Sequence, residues 1–167
     1  MKVTERHIQP ILMMWAIDRK NHTLVIPNST IIFNWEADLL SVTKAGLIHE
    51  YEIKLNIQDY KADSKKVYKH KTMVDGWGRI PNYFWYVTFE FDIVPPNHAG
   101  WIKISRTQDD LHHCMIDIKV DAPRLTNKKM SEWQRLAAGR IISHHLKYEY
   151  ANSPQTRITE LPVCWAI

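Results

Sequence analysis

The sequence predicts an α/β (α+β) protein: a mixed central β-sheet flanked by helices, in a single domain over residues 1–150 with a C-terminal tail over 151–167. Three observations carry this. The chain has 167 residues, 45% apolar and 24% charged, which suits one soluble globular domain. Hydrophobic spacing switches between the helical and the strand period in the order helix, strands, helix, strands, helix. No apolar run is long enough to cross a bilayer; the longest, 11–17, ends at Asp18-Arg19-Lys20.

Residues 5–20 read as the first helix, with Ile8, Ile11, Leu12, Trp15 and Ala16 at helical spacing. Pro10 falls early, where a helix tolerates it best, and Asn21-His22 is the expected stop. Residues 24–26 form a short strand closed by Pro27. Segments 30–43 and 47–55 are rich in β-branched and aromatic residues, and Lys44-Ala45-Gly46 between them suits a three-residue hairpin turn. Asn56 then reads as the N-cap of a second helix, with Asp59 at N3, running to about Lys71 with Ile57, Tyr60, Val67 and Tyr68 inward. Residues 83–91 are the strongest strand signal, ended by Pro95-Pro96. Strands over 100–105 and 115–120 follow, with a turn at 109–113 between them. The last helix spans 131–148, with Trp133, Leu136, Ala137, Ile141 and Leu146 in or near one stripe.

Cys114 and Cys164 are too few for a disulfide framework and read as small buried apolar residues of a reducing cytoplasm. The start of the chain lacks the pattern of a secretory signal, so the sequons at Asn21 and Asn28 are read as chance. The net charge is +4. Lys65, Lys66, Lys69 and Lys71 crowd together beside His70, and Arg124, Lys128 and Lys129 form a second group.

The chemistry concentrates in the hairpin. With 44–46 as the loop, Thr43 faces Leu47, Asp38 faces Glu52, and Glu36 faces Lys54. Glu50, Glu52 and Lys54 share one side of their strand. Opposed carboxylates repel each other, and a divalent cation would turn that repulsion into coordination. Lys54 adds a cation able to stabilise developing charge or position a water. The competing reading is a solvated hairpin face with Glu36–Lys54 as an ordinary ion pair. A one-residue slip in register would move Asp38 to the other face.

Asp38 followed after a turn by Glu52-Ile53-Lys54 is similar to the PD-(D/E)XK nuclease signature. The longer series is the more specific. Residues 37–46, then Glu50 to Lys54, then Asp59, Tyr60, Asp63, Lys65 and Lys69, resemble the small MmcB-like DNA-repair family and its phage-borne relatives. Residues 84–87, a proline at 95 or 96, and Gly100-Trp101-Ile102 extend the resemblance, with a weaker echo at 121–125. This chain departs from the pattern in three places. Ala37 stands where the name has Pro, Leu55-Asn56 replaces small hydroxyl residues, and an aromatic, Gly-containing insertion occupies 72–81.

The resemblance implies a core of helix, three-stranded meander, helix and strand. It implies a nuclease that hydrolyses DNA phosphodiesters with Mg²⁺ or Mn²⁺, in DNA repair, recombination or phage DNA metabolism, in the cytoplasm of a bacterial or phage-infected cell. Asp38, Glu52 and the Ile53 carbonyl would hold the metal, joined in some members by an acid on the first helix, here Glu5. Lys54 would assist the water. Beside the site, Lys65, Lys66, Lys69 and Lys71 are the expected phosphate contacts, and Trp77, between Gly76 and Gly78, is the expected base-stacking residue. The expected partners are DNA and, to cut both strands, a second copy of the chain, with no membrane and no organic cofactor. The pairs His112-His113 and His144-His145 lack zinc-site spacing. Two other readings stay open: a nuclease-like fold that binds DNA or a repair partner without cutting, and an unrelated structural α/β protein.

Overall fold

The computed structural model describes residues 3–107 and 114–152. The elements are α1 (Glu5–Met14), continued by a π-helical turn (Trp15–Arg19), β1 (His22–Ser29), β2 (Ala37–Thr43), β3 (Ile48–Lys54), α2 (Ile57–Asp63), α3 (Val67–Asp75), β4 (Tyr83–Phe89), β5 (Gly100–Arg106), β6 (Cys114–Val120) and α4 (Glu132–Asn152). The six strands form one mixed sheet in sequence order. β1, β2 and β3 are an antiparallel meander, β4 and β5 run parallel to β3, and β6 closes antiparallel on β5.

Each face of the sheet buries its own apolar set. α1 contributes Ile8, Leu12 and Ala16 against Leu39, Tyr51, Ile53, Val87 and Ile102. On the opposite face, Leu40, Val42 and Ile48 pack with Met130 and Ala138 of the α4 region. Beside them, Phe84, Tyr86 and Trp101 pack with Met73 and Ile80. Glu50, Glu52 and Lys54 of β3 lie on this second face, with Phe84 and Tyr86 as lateral neighbours of the two glutamates across the parallel pairing.

Several expectations change here. β1 is longer than the three residues foreseen, and Pro27 lies inside it, on an edge strand where a missing N–H is tolerated. The segment before Ala37 is a bent loop, not strand; it folds Phe33 onto Trp35 with ring centroids 5.2 Å apart. The single helix expected from Asn56 to Lys71 is two helices. Ile57 and Tyr60 do pack inward, but Val67 and Tyr68 are exposed, because α3 starts in a new direction and turns Lys69, Thr72 and Met73 to the sheet. On α4 the buried residue is Ala138, flanked by Ile141 and Ile142, while Trp133 and Leu136 are 68% and 75% exposed. The foreseen stripe is rotated by about one residue. The same helix extends to Asn152. Cys114 is half-buried; Cys164, the turn at 109–113 and the pair His112-His113 lie outside the described residues.

Candidate active site

The β2–β3 hairpin has the register foreseen. Leu39 pairs with Tyr51, Leu40 with Glu50, Ser41 with His49 and Val42 with Ile48, so one step further Asp38 stands across from Glu52. The turn is closed by Thr43 N–H to Leu47 O and Gly46 N–H to Thr43 O, both 2.9 Å. Gly46 has φ +83°, a conformation that costs a residue with Cβ far more than glycine.

Around this pair the structure builds a buried charge network. Lys54 Nζ lies 2.9 Å from Glu52 Oε1 and 3.2 Å from Asp63 Oδ1. Lys69 Nζ lies 2.5 Å from Glu52 Oε2 and 2.7 Å from Glu50 Oε1. Lys66 Nζ lies 2.5 Å from Glu52 Oε1 and 2.9 Å from Asp63 Oδ1. Trp35 Nε1–H donates to Glu50 Oε1 at 2.9 Å. Tyr86 O–H donates to Asp63 Oδ2 at 2.6 Å, and His70 Nε2 meets the same oxygen at 3.0 Å. Glu50, Glu52, Asp63, Lys54 and Lys69 are all buried, and burying a charge is tolerated only when it is paired. Glu50, Glu52 and Asp63 are matched by Lys54, Lys66 and Lys69, so this part of the site is balanced by the chain itself.

The electrostatics follow from these partners. Burial pushes the Glu52 carboxyl up, but the Lys69 and Lys54 ammoniums outweigh it and hold the group below its ordinary range. For Asp63, burial is likewise outweighed, by hydrogen bonds from His70, Tyr86 and Lys66, and the carboxyl stays far below its ordinary range. At Glu50 burial wins over Lys69 and the carboxyl is raised. Burial favours a neutral Lys54, but Glu52 more than offsets that, so Lys54 is raised and stays a cation. It therefore acts as a fixed positive charge and hydrogen-bond donor, not as a base.

Asp38 differs from the other acids. Burial first, and then repulsion from Glu52, raise its carboxyl to about 7; the Ile53 N–H, donating to Oδ2 at 2.7 Å, offsets this only in part. Glu5 is exposed on α1, and its charge adds to the repulsion at Asp38. Asp38 is thus the acid of the site that the lysines leave uncompensated.

The foreseen phosphate contacts divide. Lys65 and Lys71 are exposed, and Lys66 is half-exposed with its ammonium turned to the site. Lys69 is a correction: its ammonium is buried against Glu50 and Glu52, so it supports the site rather than the surface. Trp77 is exposed in its glycine-flanked loop. Lys54 pairs with Glu52, Asp59 and Asp63 rather than with Glu36, which is exposed just before β2. The solvated hairpin face is also overturned: Glu50, Glu52 and Lys54 are buried beneath α2 and α3.

Sequence reasoning missed Gln9, and it gave no role to Asp63, which it placed in the family-like series, or to His70, which it placed beside the lysines. Gln9 is buried on α1 and its Nε2 donates both to Asp38 O, at 2.9 Å, and to Asn28 Oδ1, at 2.8 Å, fixing the start of β2. Its signal was position: it lies one helical turn beyond Glu5. Asp63 and His70 are seven apart and look unrelated until the break between α2 and α3 folds one over the other.

Among the described residues, no group of three or more His, Cys, Asp or Glu is arranged to hold a metal ion, and no helix is long and apolar enough to cross a membrane. The donors that fit a divalent cation are Asp38 and Glu52, opposed across the hairpin, with the Ile53 carbonyl between Glu52 and Lys54. Two carboxylates with water and phosphate oxygens are a common Mg²⁺ set. Against a cation there, both Glu52 oxygens already meet ammoniums, Oε1 those of Lys54 and Lys66 and Oε2 that of Lys69.

No family model and no curated protein matches the chain. Among solved structures it is similar to the SPO1766 protein of unknown function from Silicibacter pomeroyi, at TM-score 0.52 and 15% identity, covering 85% of this chain and 88% of that one. The likeness is one of fold, and what the chain is shown to be is a mixed α+β protein built on a six-stranded mixed sheet.

Proposed function

We propose that the protein is a Mg²⁺- or Mn²⁺-dependent deoxyribonuclease of the PD-(D/E)XK type. The observation that carries this reading is the hairpin pair: Asp38 opposite Glu52, with Ile53 N–H bound to Asp38 and Lys54 ion-paired to Glu52. The element order supports it: the resemblance implies helix, three-stranded meander, helix and strand, and the chain runs α1, then β1 to β3, then α2 and α3, then β4. A cation bound by Asp38, Glu52 and the Ile53 carbonyl would supply Lewis-acid activation of water and stabilisation of the leaving oxygen. The chain's own residues set the rest. Lys54 is held protonated beside the scissile position and stabilises negative charge developing on the phosphate. Lys69, Glu50 and Trp35 fix Glu52 and its strand from below. Lys66, half-exposed and paired with Glu52 and Asp63, is the lysine of the network that stands nearest solvent, where a phosphate would meet it. Lys65 and Lys71 lend sequence-tolerant, salt-sensitive attraction for the backbone.

The test is cleavage of labelled single-stranded, duplex, flap and four-way-junction DNA with Mg²⁺ or Mn²⁺. Metal-dependent cutting reduced at least about a hundredfold in Asp38→Asn is the expected result. Cation binding also discharges a proton from Asp38, so calorimetry in buffers of different ionisation heat should detect proton release near pH 7 that Asp38→Asn lacks.

One observation favours a second reading, a DNA- or partner-binding module that does not cut. Both Glu52 oxygens already meet lysine ammoniums. Salt-sensitive DNA binding with no cleavage on any substrate and no metal-linked proton release would establish that reading and remove the first.

A further inference from the structure

Next to the charge network lies a cavity of about 490 Å³ that neither the hairpin nor the lysines use. Its size falls in the range of small-ligand pockets, about 300–1,000 Å³. Its lining includes flat groups, Tyr60, Pro95, Pro96 and the ring of His98 together with the buried Tyr86, beside Lys61 and Ser64. The two tyrosines are fixed against each other edge to face, with centroids 5.0 Å apart, and Tyr60 O–H ties down the proline loop by donating to Val94 O at 2.6 Å. That hydrogen bond joins two walls of the pocket, α2 and the proline loop.

A polar chain runs from the pocket wall to the site. His98 Nε2 meets His70 Nδ1 at 3.0 Å, and His70 Nε2 meets Asp63 Oδ2 at 3.0 Å. The other Asp63 oxygen is the one ion-paired to Lys54 and Lys66. One carboxylate thus separates the pocket from the cations of the site. Because Asp63 is a carboxylate, it accepts from His70 Nε2–H. His98 turns its Nε2 to His70, and the same His98 ring lines the cavity.

We infer that this cavity receives a nucleobase, that of a nucleotide next to the phosphate held at the lysines. Flat faces of tyrosine, proline and histidine suit an aromatic heterocycle. The second ring nitrogen of His98 offers a polar partner for the edge of a base unstacked from a strand. The assignment of the phosphate to the neighbouring cations rests on the nuclease reading, but base binding by itself does not require cleavage.

The test compares deoxyadenosine 5′-monophosphate with deoxyribose 5-phosphate, which keeps the phosphate and lacks the base. Binding to the full chain is measured by calorimetry or by NMR shifts. The base should tighten binding at least about tenfold. Two variants should erase that preference: His98→Ala, which removes a wall, and Val94→Trp, which places an indole at the rim from a position 88% exposed and so leaves the core intact. Equal affinity for the two probes, no binding of either, or a preference that survives both variants would overturn the inference. Base-dependent binding without cleavage of any DNA would keep the pocket and remove the nuclease, so the two readings fail separately.

Discussion

The two faces of the β2–β3 hairpin bury polar groups in opposite ways. Toward α2 and α3, Glu50, Glu52, Lys54, Asp63 and Lys69 are charged and mutually paired. Toward α1 the buried polar groups are neutral. His22 Nδ1 meets Ser41 Oγ at 2.6 Å, Ser41 Oγ meets Tyr51 O–H at 3.1 Å, and Trp85 Nε1–H donates to His49 Nδ1 at 3.1 Å. Burial, then the proximity of His22 and Lys20, hold His49 down to about 3, so it stays an uncharged acceptor. The same strand therefore carries an apolar, hydrogen-bonded floor on one side and a field of fixed charges on the other. A buried ion cluster is a poor way to gain stability, since hydrophobic groups of the same shape do as well or better. Its retention here, beside an uncompensated Asp38, is the physical argument for function on that face alone.

The comparison breaks most sharply at Lys69. Lys69→Met should destabilise the fold by about 3–5 kcal/mol, because Glu50 and Glu52 lose a buried partner. Adding Glu50→Gln should restore a large part of that. Urea titration of the single and double variants measures both, and additivity of the two changes would mean that the charges are not coupled.

Asp38→Asn should separate function from stability. Its carboxyl is already raised to about 7, so removing its charge at neutral pH should leave the melting temperature unchanged or higher while cleavage falls at least about a hundredfold. A large loss of stability would show that Asp38 serves the hairpin rather than a ligand.

The two faces should also respond to pH in opposite senses. A His with a depressed folded pKa contributes stability above about 6.5 that is lost as pH falls toward about 3; for His49 the cause is burial, then the nearby His22 and Lys20. Asp38, with a raised folded pKa, contributes stability that is full below about 3.8 and is lost as pH rises through about 7. Between about pH 4 and 6.5 the two slopes oppose each other, so His49→Phe should remove a rise of the melting temperature with pH, and Asp38→Asn a fall that extends to about pH 7.

The smallest effects belong to the surface. Lys65→Ala and Lys71→Ala should change stability by less than about 0.5 kcal/mol. Each should lower the salt slope of DNA binding by about one. Unchanged slopes would place the phosphate path elsewhere.

Much of the fold was legible because its signals are local. The Lys44-Ala45-Gly46 turn requires a positive φ at its end, and once its length was read, the register that opposes Asp38 and Glu52 followed. Aromatic and β-branched density marked β4, and the Asn56 cap, which accepts from Asp59 N–H at 2.8 Å, marked the start of α2. The close approach at Gly100 was not legible: a Cβ there would meet the Trp85 ring at 2.5 Å and the Ala122 backbone at 2.6 Å, contacts made only when β4, β5 and the following loop assemble.

The site divides along the same line. By itself the sequence determined the acids, the lysine beside them and their shared strand face, since alternation and turn length are properties of a few consecutive residues. Only the tertiary structure decided which lysines are cations of the site and which meet solvent. That depends on the break between α2 and α3, which turns Lys69 inward and leaves Lys65 and Lys71 outside. It also decided that Asp63, His70 and His98 form one chain, because burial and ion pairing join residues far apart in sequence and no periodicity records them.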